Sequence, residues 1–477
     1  MNRYLSILIT EIVTLLIATE LHASPSSLSP DELKRLTPQQ QLGQRIFFDT
    51  NLSNPAGQSC ASCHAVDTAF TDPELTLPVS KGAVGGRFGN RNAPSAMYSA
   101  YSPAFHFDEA EGIYFGGQFL DGRASDLIEQ AKGPFLNPDE MNNADEAAVI
   151  EKISRSDYAD LFKAVYGPTA LDSITDAYQK TAEALAAFEN TQTFNRFTSK
   201  FDYYQAGLVD LTEQEKRGLE LFEAEDKGNC AACHPTTGTD FTPPLLTDFS
   251  YDNLGLPANP ELLALQEENF VDLGLGAILN DPSENGKFKV PSLRNVAKTA
   301  PYMHNGIFDT LREAVEFYNT RDVDPKWGAP EVAENVNHDE LGDLMLSDQE
   351  IDDIVAFLRT LSDGFSLTPN ATFDSESGTL TIPVVRLEGN GFDNQLFSAR
   401  MINVGPANNT FELTELTELS QDGLKSSGDI PRYSFDSETL YLPIVDSGNT
   451  GYIVRLQKIA SETGAIKFQP ALIKPLQ

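Results

Sequence analysis

Four cysteines and two of the six histidines fall into one short string, written twice: Cys60-Ala-Ser-Cys63-His64 and Cys230-Ala-Ala-Cys233-His234. A C-x-x-C-H string is the attachment signature of c-type haem. The two thiols form thioethers to the porphyrin, and the adjoining histidine is held under the iron as its proximal ligand. A redox dithiol or half of a zinc site would explain a single copy. Two copies ending in histidine consume every cysteine in the chain and leave none for a disulfide or an all-cysteine zinc site. The expectation is two covalently bound c-type haems.

Helices must carry these strings, and the sequence writes the helix starts twice as well. Thr37-Pro38-Gln39-Gln40 has a cap residue, proline at the first helical position and glutamine three after the cap. It leads through Gly43, Ile46 and Phe47 to the first string. Thr212-Glu213-Gln214-Glu215 repeats that start, with Gly218, Leu221 and Phe222 at the same offsets before the second. Each half should close on an amphipathic helix. Ile174, Tyr178, Ala182, Leu185 and Phe188 keep a three-to-four spacing in the first. Ile351, Ile354, Val355, Leu358 and Leu361 share a face in the second, after the Ser347–Glu350 cap.

Composition bounds the rest. The 477 residues carry a formal charge of −36, which argues against nucleic acid or an anionic membrane as partner, since both need a cationic face. Residues 1–23 read as a secretory signal: Arg3, an apolar run from Tyr4 to Thr19, and a cleavage site at Leu21-His22-Ala23. Glu11 interrupts that run, so no integral membrane segment is expected once it is removed. A periplasmic or otherwise secreted location follows. The glycines at 82, 85, 86 and 89 do not make a nucleotide loop, having no strand before them and no helix after.

Beyond Gly364 the pattern becomes alternating. Phe373-Asp374-Ser375-Glu376 with Leu380-Thr-Ile-Pro-Val-Val returns as Phe435-Asp436-Ser437-Glu438 with Leu440-Tyr-Leu-Pro-Ile-Val. This reads as a β-domain of two repeats, sandwich-like. It either docks a partner or extends the fold. The expected architecture is mainly α: a 24–205 haem domain, a 206–364 haem domain, both cytochrome-c-like, and a small β-rich domain over 365–477.

The strings and the runs between them make the chain resemble the bacterial di-haem cytochrome c peroxidase/MauG family, over about residues 36–364. The matching runs are Arg91-Asn92-Ala93-Pro94, Asp121-Gly122-Arg123, Glu129 to Pro134, Glu140-Met141-Asn142, Lys289 to Asn295, and Pro301-Tyr302-Met303-His304. The resemblance implies that the first haem, on His64, meets hydrogen peroxide, and the second, on His234, relays electrons. It implies Glu140 as distal acid–base, with Gln130 as the amide beside it. Read alone, Glu140 is a helix-entry carboxylate after Pro138-Asp139. It further implies a calcium ion between the haem domains, held by the side-chain oxygen of Asn92 and the carbonyls of Thr299 and Pro301. Arg123 and Arg294 become partners for haem propionates, since guanidinium pairs well with carboxylate, and His304 matches a family histidine.

Departures from the family pattern carry their own expectations. Residues 65–90 contain no histidine, where many relatives have one capping the first iron, so that iron should be open. His106 is the nearest reserve, flanked by Phe105 and Phe107. On the second haem, Tyr318 stands where peroxidase members place methionine and MauG-like members tyrosine; Met303 and Met345 are the alternatives. An anionic phenolate favours more oxidised iron than a soft thioether does. Leu120 replaces a tryptophan that relatives put between the haems, and the chain's one tryptophan is Trp327.

Three functions remain in view. One is a peroxidase fed by a small electron-donor redox protein. The second is a MauG-like enzyme turning peroxide's oxidising equivalents on a protein substrate. The third is a di-haem electron carrier without catalysis.

Overall fold

The computed structural model describes residues 36–475 except 208, 240–241, 268, 366–370, 376, 390–391, 406–408, 419–430, 436, 448–449 and 462–464. The expected signal at residues 1–23 lies outside the described residues. Among those described, no helix is long and apolar enough to cross a membrane.

The helices, in chain order, are α1 (Pro38–Phe47), α2 (Cys60–Cys63), α3 (Leu127–Leu136), α4 (Glu146–Ser154), α5 (Ala159–Tyr166), α6 (Ile174–Glu189), α7 (Lys200–Gln205), α8 (Glu213–Glu223), α9 (Pro260–Leu263), α10 (Leu275–Leu279), α11 (Leu311–Thr320) and α12 (Asp348–Arg359). Two short hairpins interrupt them, β1 (His106–Asp108) with β2 (Ile113–Phe115) and β3 (Tyr251–Asp252) with β4 (Phe288–Lys289). Eight strands follow: β5 (Ala371–Asp374), β6 (Thr379–Gly389), β7 (Phe392–Gly405), β8 (Thr410–Glu418), β9 (Arg432–Ser434), β10 (Thr439–Ser447), β11 (Thr450–Ile459) and β12 (Lys467–Pro475). Two compact units result. One gathers residues 1–195 and 218–355 and contains both cysteine strings; the other gathers 196–217 and 356–477.

In the first unit, α1 begins where its cap satisfies the first free N–H groups. Thr37 Oγ1 accepts from Gln40 N, and Gln40 Oε1 accepts from Thr37 N at 2.9 Å. The helix buries Leu42, Ile46 and Phe47 and packs against α6. They cross so closely that a Cβ on Gly43 would lie 1.8 Å from the Ala184 carbonyl oxygen. Only glycine allows that approach. Phe47 meets Phe70, Phe188 and Phe194 edge-on, closing an aromatic core beside the first string. The Thr212 start recurs at α8, where Glu215 N donates to Thr212 Oγ1 and Thr212 N to Glu215 Oε2.

In the second unit, the strands form a closed barrel. Its ring runs β6–β7–β8–β12–β11–β10, and the short β5 and β9 both bridge β10 and β6. The two repeats are interlocked: β5 pairs antiparallel with β6 of its own repeat and parallel with β10 of the other, and β9 does the reverse. Ile382 and Leu442 occupy equivalent core positions and are fully buried.

The expectation of a mainly α chain with a small sandwich-like β-domain is corrected here. Four of the twelve α-helices have six residues or fewer, because glycine and proline break the chain into loops between the periodic stretches. The β-region is a closed seven-strand barrel rather than a small appendage. Each repeat carries a proline, Pro383 and Pro443, inside a register shift, Ile382/Val385 and Leu442/Val445. Proline cannot donate to the ladder, the strand bulges there, and bulges supply the curvature that closes a sheet. Closure also removes the exposed edges a sandwich would keep.

Candidate active site

The two C-x-x-C-H strings fold alike. The first is the short helix α2, whose Ser59 N donates to Ser62 Oγ at 3.0 Å; the second is a 3₁₀ turn at Cys230–Ala232. In both, the histidine N–H returns to the first cysteine's carbonyl at 2.9 Å. His64 Nδ1 donates to the Phe70 carbonyl at 2.9 Å, and His234 Nδ1 to the Leu246 carbonyl at 2.8 Å. Burial lowers the proton affinity of both rings against these backbone contacts. Each imidazole is therefore neutral, with Nδ1–H committed and Nε2 left as a metal donor, the usual arrangement for a ligating histidine.

That chemistry tests the fit of haem, and it fits. All four thiols are unpaired. Among the described residues no group of three or more His, Cys, Asp or Glu side chains could hold a bare metal ion, so the zinc alternative lacks a ligand set. The buried His304 Nε2 has no hydrogen-bond partner, and burial pushes its ring down to about 4, so it is neutral. A polar group from outside the polypeptide, such as a porphyrin carboxylate, would complete it.

Glu140 stands in the turn after α3, not at a helix entry; the next helix, α4, is capped by Asp145. Its carbonyl accepts from Ala83 N at 2.7 Å, tying it to the loop that follows the first string. Its Oε1 accepts from Asn137 Nδ2 at 3.0 Å, which leaves Oε2 open. The carboxylate acts electrostatically on both Cys60 and Cys63. Burial raises its proton affinity, opposed by Arg123 and the Asn137 hydrogen bond. Gln130 is half-buried on α3, and no hydrogen bond joins it to Glu140.

Arg123 lies 3.5 Å over the Phe119 ring and donates to Asp121 at 2.8 Å. Arg294 is buried, donates to the Pro244 carbonyl at 2.7 Å and faces the Tyr98 ring. Asn92 binds the His304 carbonyl through its backbone N–H at 2.8 Å and commits Nδ2 to Pro78. Thr299 and Pro301 lie in the segment just before His304, and Thr299 Oγ1 donates to Val296. His106 is exposed on the β1–β2 hairpin, its Nδ1 on the Ala104 carbonyl, away from any site.

Around the second string, the Thr310–Glu313 capping box starts α11. Phe317 points into the core, and beside the larger effect of burial the Cys233 and Cys230 thiols act on the Tyr318 phenol. Among the described residues its phenol oxygen has no hydrogen-bond partner, and burial drives its proton affinity far up. A phenolate there requires a cationic partner. Met345 is 74% exposed, whereas Met303 packs into the same cluster as Tyr318.

Several groups escaped the sequence reading. Arg91 bridges Asp121 at 2.5 Å and Asp272 at 2.6 Å, all three nearly buried. Its reach across 181 positions leaves no periodic trace. Lys289 is buried against the Gly117 carbonyl, with its ammonium pushed down to about 8 by desolvation. Lys289 N also donates to the Leu120 carbonyl at 2.8 Å, next to the place where relatives have tryptophan. Trp327 packs edge-on to Phe317 and Phe308 in the Tyr318 cluster.

The fold and these paired strings define a cytochrome-c-type protein with its haem-binding half written twice. Residues 37–210 match the family described as di-haem cytochrome c peroxidase, and residues 215–362 match cytochrome c. The methylamine utilization protein MauG of Paracoccus denitrificans is 44% identical over 345 residues, 68% of this chain and 88% of that one. The cytochrome c551 peroxidase of Pseudomonas aeruginosa is 32% identical, over 68% of this chain and 78% of its own. The crystal structure of the diheme peroxidase BthA from Burkholderia thailandensis superposes with a TM-score of 0.64 at 40% identity, covering 71% of this chain and 89% of that one. The chain belongs to the di-haem cytochrome c peroxidase/MauG family. It is a haem oxidoreductase of the peroxidase type.

Proposed function

We propose that this protein reduces hydrogen peroxide at its first haem, with electrons relayed through the second from a small redox protein outside the cytoplasm. Cys60, Cys63 and His64 would hold the first haem, and Cys230, Cys233, His234 and Tyr318 the second. Each haem, when bound, supplies one-electron chemistry at its iron. The polypeptide handles the proton. Glu140 takes it from the near oxygen of peroxide at Oε2 and returns it to the far oxygen, while Asn137 pins Oε1. Arg123 and Arg294 would pair with propionates, Gln130 would steady the peroxide, and a calcium ion would take Asn92 Oδ1 with the Thr299 and Pro301 carbonyls. Location in the periplasm rests on the leader, residues 1–23.

The observation that carries this reading is Glu140 tied through its carbonyl to Ala83 in the loop after the first string, with Oε1 pinned by Asn137 and Oε2 uncommitted, together with a 65–90 loop free of histidine. The test is an EPR spectrum of the resting ferric protein, which should contain one high-spin and one low-spin haem. Two low-spin haems would remove catalysis and leave the electron carrier.

A second reading, MauG-like oxidation of a protein substrate, is favoured by one observation: the second string's thiols act on the Tyr318 phenol, while Met345 is exposed. It predicts that fully oxidised protein reacts with peroxide directly. Consumption of peroxide only after partial reduction by a donor would exclude it.

A further inference from the structure

The last residue of α6, Glu189, is a carboxyl that no part of the proposed chemistry uses. It is 8% exposed, and among the described residues its side chain makes no hydrogen bond or ion pair. Its neighbour Phe188 packs on Phe194 and Phe194 on Phe70, whose carbonyl holds the His64 imidazole, so this helix end adjoins the first haem's attachment, and the carboxyl acts on the Cys60 thiol. Two polar atoms in the turn that follows are also buried without partners, Thr191 Oγ1 and Asn195 Oδ1. The Asn195 amide does donate, to the Glu189 and Thr191 carbonyls, but three side-chain oxygens without partners in one turn is an arrangement native interiors avoid unless a proton or water completes it.

The internal duplication marks this carboxyl as a feature of one half only. Ala186-Ala187-Phe188-Glu189-Asn190-Thr191 corresponds to Val355-Ala356-Phe357-Leu358-Arg359-Thr360. Phe188 and Phe357 are both fully buried, so the register holds. Where the first half has a carboxyl, the second has leucine. A leucine fits that helix position, so packing does not require the acid.

Of the charged groups on the helices packed against α6, Glu146 of α4 acts on Tyr178 of α6 itself, and the others are occupied elsewhere. Arg45 of α1 pairs with Asp157 at 2.5 Å, and Lys132 of α3 with Glu129 at 2.5 Å. Lys152 of α4 donates to Asn143 and Ser53, and Glu151 of the same helix pairs with Arg155. Burial alone pushes the Glu189 carboxyl up to about 8.

We propose that Glu189 is the site where the first haem domain takes up a proton when its haem gains an electron, and from which that proton leaves when the electron does. The inference rests on a haem at Cys60 and Cys63. One electron arrives from the donor and one proton passes from water to a Glu189 oxygen, so the buried turn gains no net charge. On oxidation by peroxide the electron leaves and the proton returns to the medium. Net charge in a low-dielectric interior is what this coupling avoids. Leu358 denies the second domain the same device.

The test is redox-difference infrared spectroscopy of the holoprotein, with a potentiometric titration of each haem either side of about pH 8. Above about pH 8, where the oxidised protein holds Glu189 as a carboxylate, the native protein should gain a deuterium-sensitive protonated-carboxyl band as the first haem is reduced. That haem's midpoint should fall with rising pH, and Glu189→Gln should lose both signals with the second haem unchanged. Glu189→Leu, which copies the second domain, serves if the glutamine variant fails to load haem. A band or pH dependence that persists in a haem-loaded variant overturns the proposal, as does a native spectrum without the band. Native protein with no haem at residues 60–63, by a pyridine haemochrome count, overturns the functional reading along with it.

Discussion

Asn137 offers a direct way to move the proton chemistry without touching the acid–base group. Its Nδ2 donates to Glu140 Oε1 at 3.0 Å, while its own Oδ1 accepts from Asp139 N at 3.0 Å and holds the turn. Asn137→Asp keeps the second bond and replaces the donor of the first by a carboxylate oxygen. A hydrogen bond to a charged group is worth roughly 1.5–3 kcal/mol. At about 1.4 kcal/mol per pH unit, losing it shifts Glu140 upward by roughly one to two units, and the like charge pushes in the same direction.

The sign follows from the role. Burial already raises the Glu140 proton affinity, against Arg123 and Asn137. As a base the carboxylate must be ionised, so turnover falls as pH drops through its titration. In Asn137→Asp that acid limb should move to higher pH by roughly two units, with the alkaline plateau nearly unchanged. The assay is the initial rate of peroxide consumption against pH, with excess reduced donor and a check on haem content. An unmoved limb, or one displaced towards acid, would refute the assignment of Glu140. Glu140→Gln should cost roughly 100- to 10,000-fold in turnover on the alkaline plateau and abolish the acid limb.

Other perturbations probe the scaffold. Tyr318→Met should raise the second haem's potential, because thioether favours ferrous iron; an unchanged potential and EPR signal would hand the ligand role to Met303. Gly43→Ala places a methyl 1.8 Å from the Ala184 carbonyl oxygen. Overpacking of about 1–3 kcal/mol or more should outweigh alanine's helix preference of about 1 kcal/mol, lowering the urea midpoint. Arg91→Leu strands Asp272 in the interior and leaves Asp121 to Arg123 alone, and should cost about 3–5 kcal/mol in denaturant unfolding. Burial opposes the charge on Asp272, but Arg91 outweighs it and holds the carboxyl below the usual range. That stability is present above about pH 4 and is lost as pH falls through the depressed value. Acid should therefore destabilise the native protein more than the variant.

How far the sequence could be read depended on whether each feature is local. The caps of α1, α8 and α12 and both C-x-x-C-H strings are written within a few residues of the bonds they make, and they form as their chemistry dictates. Tyr318 came from the resemblance rather than from helical spacing, since it lies one residue after the fully buried Phe317 and so on another face of the turn. Alternation identified the strands but not their closure. The information lies in Pro383 and Pro443, which read as ordinary turn formers until the register shifts around them appear. Arg91 and Lys289 stayed hidden because their partners are remote in sequence and solvation, not spacing, makes them costly. Duplication supplied the architecture twice over, in the haem-binding half and again in the barrel. The chemistry sits where the copies differ. Glu140 has no counterpart assigned over the second string, Tyr318 none over the first, and Glu189 faces Leu358 across the repeat. Two equal copies would make a conductor; under the proposed function, the asymmetry is what gives one of them a reaction to perform.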